Sequence, residues 1–141
     1  MTRILLHTDD PDMAERVLRA RHPNVMIAAH DDYRRLAQAV AGCAPEVVYT
    51  CRFLPEPFPR EALVQSPTVR WVSNAGSGCN HLIPWDPARV TVTNSAGVAA
   101  EAMANFALGA MLHFALDMPG LIADQRVRLW PKPLNAKEKR P

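Results

Sequence analysis

Short apolar runs of strand length alternate with amphipathic stretches along most of this chain. Residues 3–8 (RILLHT) form the first run, closed by the turn Asp9-Asp10-Pro11. Pro11 suits the first turn of a helix, and Asp9 or Asp10 can cap it, because the leading N–H groups of a helix lack intrahelical acceptors. Ala14, Val17 and Leu18 recur at helical spacing until His22-Pro23-Asn24 breaks the pattern. A second strand is predicted over residues 25–29. Asp31 or Asp32 then caps a helix holding Leu36, Ala39 and Val40, and Gly42 ends it. Residues 46–51 (EVVYTC), β-branched and aromatic, predict a third strand. Pro55, Pro57 and Pro59 stiffen the next loop, ahead of a short helix over 60–64. A fourth strand covers 69–73 (VRWVS) and runs into Asn74-Ala75-Gly76-Ser77-Gly78; a fifth covers 90–93 (VTVT).

Apolar strands separated by helices imply a parallel sheet covered on both faces, with right-handed crossovers. The fold class expected is α/β: a flavodoxin-like, doubly wound parallel sheet of about five strands. Ligands of such sheets gather at the carboxyl ends of the strands. That rule sets the loops after Thr8, Cys51 and Ser73 on one functional rim.

The pattern changes after the fifth strand. Residues 98–118 predict one long C-terminal apolar helix, interrupted by Asn105, Gly109, His113 and Asp117 at every fourth position. Four residues advance a helix by about 400°, so this stripe drifts and leaves most of the circumference apolar. A helix apolar nearly all round is buried on several sides. It is too interrupted for a membrane span, so the expected partner is a second protein body or a second copy of the chain.

Composition narrows the classes. Of 141 residues, 48% are hydrophobic and 21% charged, which excludes wholesale disorder. The net charge of +2 provides no broad cationic face for nucleic acid or anionic lipid. Cys43, Cys51 and Cys79 make no CxxC pair, which fits a reducing, cytoplasmic setting and neither a disulfide scaffold nor a zinc cluster. All Lys residues lie beyond position 131, in the Pro-rich ending WPKPLNAKEKRP, so a domain boundary is expected near Trp130 with 131–141 as linker or tail.

The chemistry on offer is sparse. His7, His22, His30, His81 and His113 share no metal-ligand spacing and read as surface or half-buried imidazoles. Cys51 sits at a strand end, yet no base accompanies it, and a small buried residue is the simpler reading. No GxSxG or GxGxxG occurs. What stands out is the loop Ala75, Gly76, Ser77, Gly78. Two glycines around a small hydroxyl residue permit positive φ and expose successive N–H groups, a concave site for carboxylate or phosphate oxygens, although a plain tight turn has the same sequence. Arg52, at the end of the third strand, can add a bidentate clamp on a carboxylate or can simply be solvated.

From Val69 to Trp130 the order of the strand, the AGSGCN loop, the TNSAG strand end, the EAMANFALGAML helix and the QRVRLW segment resembles the D-isomer-specific 2-hydroxyacid dehydrogenase family. The VVYTCRFLPE region is most similar to its glyoxylate/hydroxypyruvate reductase branch. Asn105 departs from the Glu of the family's helix pattern. The resemblance implies that residues 1–130 are a substrate-binding domain for a small 2-keto or 2-hydroxy acid, with NAD or NADP as cofactor. It implies substrate contacts at Ala75, Gly76, Ser77 and Gly78, to which the residue reading adds Arg52, and a cofactor contact at Ser77. It further implies that the nucleotide-binding domain and the catalytic Arg, Glu and His lie outside these residues, so no catalytic residue is assigned and the chain alone is expected to be inactive. Without that domain, the 98–118 helix is expected to form a homo-oligomer. The alternative is a stand-alone flavodoxin-like module that binds carboxylates without catalysis.

Overall fold

The computed structural model describes residues 1–51 and 57–130. They divide into two compact units, split between Gly97 and Val98. The first unit is a five-stranded, all-parallel sheet in the order β2-β1-β3-β4-β5, formed by Arg3–His7 (β1), Met26–His30 (β2), Val47–Thr50 (β3), Trp71–Asn74 (β4) and Thr91–Thr93 (β5). This is the flavodoxin-like order. The observed strands are shifted or trimmed by one or two residues from those read in the sequence.

The connecting helices begin where the caps require. Helix α1, Pro11–Arg21, opens with Asp10 Oδ1 accepting from Met13 N at 3.0 Å and with Pro11 in its first turn. Asp32 caps a 3-10 turn, Tyr33–Arg35, by accepting from Arg34 N at 3.0 Å, and α2, Leu36–Cys43, follows directly. Gly42 does not end α2: the helix runs one residue further and stops at Ala44, whose φ of 45° is left-handed. Helix α3, Arg60–Val64, is a single short turn of helix after the proline loop. The core gathers Leu5, Val48 and Val72 from the sheet with Leu36, Val40, Leu63 and Leu82, every one of them buried.

The second unit corrects one expectation. The helix expected over 98–118 is shorter, α4 (Ala100–Ala115, 16 residues), and a second, α5 (Met118–Arg126, 9 residues), begins where it was expected to end, bent from it by 63°. The break falls at Asp117, which takes a left-handed φ of 48° and turns its carboxylate back to cap α5 through Gly120 N at 3.3 Å. An Asp followed by Met118-Pro119 is a helix start, and that local signal overrides the apolar pattern running through it. No side chain of α4 or α5 is buried, and Phe106 and Phe114 are 79% and 78% exposed. No single helix among the described residues is long and apolar enough to cross a membrane.

Candidate functional site

The parallel register sets His7, Thr50 and Asn74 side by side as the last residues of β1, β3 and β4. All three are buried, two positions beyond Leu5, Val48 and Val72 on the same face of the sheet. His7 Nδ1 lies 3.0 Å from Thr50 Oγ1, and its ring packs at a tilt on Tyr33 with centroids 6.1 Å apart. Burial lowers the His7 pKa by penalising the charged imidazolium; Asp9 and Asp32 pull in the opposite direction and only partly offset it. His7 is thus buried rather than the surface or half-buried imidazole expected, since a lone imidazole at a strand end looks the same in sequence wet or dry.

Beyond Asn74 the chain makes the loop singled out in the sequence. Ala75 N still belongs to the sheet edge, donating to Thr50 O at 2.9 Å. The next three carbonyls are all held from behind. Asn74 Nδ2 donates to Gly76 O at 2.9 Å and to Gly78 O at 3.0 Å, and Asn94 Nδ2 donates to Ser77 O at 2.7 Å. Ser95 N also donates to Gly76 O at 3.2 Å, while Ser95 Oγ donates to the Asn74 carbonyl at 3.2 Å. The N–H groups of Gly76, Ser77 and Gly78 have no acceptor among the described residues, and the three residues are exposed. Engaged carbonyls and N–H groups without acceptors among the described residues leave the 76–78 backbone with donors to spend.

The glycines serve differently from the sequence reading. Neither Gly76 nor Gly78 has positive φ; among the described glycines only Gly97 does, at 89°. A Cβ on Gly76 would touch Asn74 Nδ2 at 3.4 Å, whereas a Cβ on Gly78 would enter open space. Gly78 therefore leaves room above the loop and is not there to permit a strained backbone. Arg52, the proposed carboxylate clamp, lies outside the described residues. Cys51 meets a phenol: its Sγ is 3.6 Å from Tyr49 Oη, and this hydrogen bond, with burial, pushes the tyrosine pKa up to about 12.

These residues do not make a dinucleotide cradle. Such a cradle needs a helix whose N-terminus opens on the glycine turn. Here Gly78 leads through Cys79 to a three-residue 3-10 turn, Asn80–Leu82. Sequence reasoning missed Asn74, Asn94 and Ser95. The available signal was their placement: Ser73 pairs with Thr93 in the β4–β5 register, so Asn74 and Asn94 are the next residues on adjacent strands.

The described residues thus form an α/β domain with a flavodoxin-like parallel sheet and a glycine-containing loop on its carboxyl rim. No protein-family model matches the sequence, and no curated protein does. Solved structures do. A D-isomer specific 2-hydroxyacid dehydrogenase family protein from Aeromonas salmonicida superposes with a TM-score of 0.70 at 20% identity over 94% of this chain and 42% of its own. The NAD-dependent formate dehydrogenase from Staphylococcus aureus, solved in complex with NAD, gives 0.55 at 16% identity over 93% of this chain and 43% of its own. The chain thus has the fold found in these dehydrogenases, the family its sequence resembles, and spans about two fifths of their length.

Proposed function

We propose that this chain is the substrate-binding part of an NAD(P)-dependent 2-hydroxyacid dehydrogenase, acting on a small 2-keto or 2-hydroxy acid. The observation that carries the reading is the 75–78 loop: three N–H donors without acceptors among the described residues, backed by bonded carbonyls, on the rim where this fold collects ligands. In this reading residues 1–130 are the substrate-binding domain, with 131–141 as a tail. The loop takes the substrate carboxylate, and Ser77 stands next to the nicotinamide of NAD or NADP held by another domain. The setting is cytoplasmic.

The test is a titration of the isotope-labelled chain with oxalate, followed at the backbone amides. We expect saturable shifts centred on Gly76, Ser77 and Gly78 with a Kd of about 1 mM or weaker, since few contacts offset the cost of association. Gly78→Val fills the open space above the loop and should abolish the response while leaving the fold intact. Shifts elsewhere and none at these amides would remove the site.

Turnover separates this reading from a stand-alone carboxylate-binding module. Hydride transfer needs a bound nicotinamide and a proton donor for the carbonyl oxygen, and the 141 residues contain no GxGxxG. The chain by itself should therefore not oxidise NADH or NADPH with glyoxylate, hydroxypyruvate or pyruvate. Mixed with a dinucleotide-binding domain of the same family, it should gain turnover if it is half of an enzyme and none if it is a binding module.

The proposal extends to assembly. Phe106, Met111, Phe114 and Leu116 are 79%, 68%, 78% and 58% exposed on and just after α4. Monomers seldom leave large contiguous apolar patches in water. A homo-oligomer joined through this segment is expected, and light scattering across a concentration series checks it; a monodisperse monomer at high micromolar concentration would exclude it.

A further inference from the structure

The carbonyls of Gly76, Ser77 and Gly78 are engaged by side chains that lie outside the loop. Asn74 is 2% exposed, and its amide nitrogen bonds two carbonyls two residues apart, Gly76 O and Gly78 O. Asn94 reaches from the end of the neighbouring strand to the carbonyl between them, Ser77 O, and is itself fixed by Ala96 N, which donates to Asn94 Oδ1 at 3.3 Å. An amide nitrogen can only donate and a carbonyl can only accept. Three carbonyls in a row are thus drawn toward the two asparagines.

We propose that Asn74 and Asn94 are positioning residues: two side-chain amides from adjacent strand ends hold the carbonyls of Gly76, Ser77 and Gly78 and thereby fix the N–H groups of the same residues as a preformed anion site. The inference deepens the carboxylate-binding reading and rests on it for the ligand, but the ordering of the loop is a property of the free chain. Without the clamps, exposed residues that include two glycines would sample many conformations, and binding would have to bear the cost of ordering them. With them, the donors are set before the ligand arrives, the arrangement in which fixed dipoles are most effective.

The experiment compares wild type, Asn94→Ala, Asn94→Asp and Asn74→Asp by backbone 15N relaxation in the absence of ligand, by oxalate titration and by thermal unfolding. Asn94 is exposed, so its variants should keep the native melting temperature. The expected result is a fall in the heteronuclear NOE at Ser77 and Gly78 in both Asn94 variants. Oxalate affinity should weaken about three- to tenfold, the effect of losing one ordinary hydrogen bond. Asn94→Asp should be no better than alanine, because a carboxylate of the same shape repels the carbonyl. Asn74→Asp should remove saturable binding; should it fail to fold, the exposed Asn94 pair still decides. Unchanged loop order in both Asn94 variants overturns the proposal. If wild type shows no oxalate shifts at the loop while the variants still loosen it, the positioning stands and the carboxylate reading falls.

Discussion

The two faces of the sheet make an instructive contrast. On one, Leu5, Val48 and Val72 are fully buried beneath α2, α3 and Leu82. On the other, Ile4, Val47, Tyr49 and Trp71 line a groove beside α1, a helix with no buried residue, and Trp71 is 43% exposed. Strand side chains alternate between faces, so the two sets come from the same strands, one residue out of step. The packed face is also the one that continues into His7, Thr50 and Asn74 and so into the loop. Close packing beneath the rim is what lets three polar side chains be held in one arrangement; the looser face leads to no comparable cluster.

The contrast should break first at its best-packed point. Leu36 is completely buried against the sheet, and Leu36→Ala removes its side chain from a site that can collapse only partly. A loss of about 2–5 kcal/mol is expected from chemical denaturation. A sharper comparison uses two neighbours in β3. Val48→Thr buries a hydroxyl in the packed face and should cost about 1–3 kcal/mol, whereas Val47→Thr, half-buried on the groove side, should stay near ~0.5 kcal/mol. Equal losses for the two would mean that the faces are energetically alike.

Much of this was legible beforehand, for identifiable reasons. The five strands and their helices follow from runs such as EVVYTC and VRWVS and from caps at Asp10 and Asp32, all of them local signals. The loop 75–78 was legible because glycines flanking a serine after a strand are rare enough to notice. The break at Asp117 was not, since hydrophobic periodicity averages over a turn that one left-handed residue decides. Nor were the roles of Asn74, Asn94 and Ser95: they depend on strands β4 and β5 being neighbours in register, a long-range fact that no local window contains.

His7 tests the polar end of the packed face through pH. Its pKa is lowered in the folded chain from the ordinary 6.5, chiefly because burial disfavours the imidazolium. The unfolded chain therefore binds this proton more readily than the folded one. The neutral side chain's contribution is fully present above about pH 6.5, declines as the pH falls from there to the lowered folded value, and is constant below it. The variant His7→Asn keeps a polar group near Thr50 Oγ1 without a titrating site. Urea midpoints measured between pH 4.5 and 8, a window of roughly two units either side of an ordinary histidine, should fall more steeply for wild type than for the variant. Parallel curves would mean that His7 carries no such linkage.

The smallest effect is expected on the open face, where a hydrogen bond exists but water competes for it. Trp71 Nε1 donates to Thr93 Oγ1 at 2.9 Å across β4 and β5, and both residues are exposed. Replacing Thr93 by Val keeps the β-branched shape suited to an edge strand and removes the acceptor. The indole N–H then turns to solvent instead of being stranded, so the desolvation penalty that makes a buried orphan costly does not arise. A change within about 0.5 kcal/mol is expected, in either direction, because added apolar area on a half-covered face offsets the lost bond. Thermal unfolding of Thr93→Val beside Val48→Thr checks it. A loss from Thr93→Val as large as that from Val48→Thr would show that the groove side is as tightly determined as the core, and the distinction between the faces would fail.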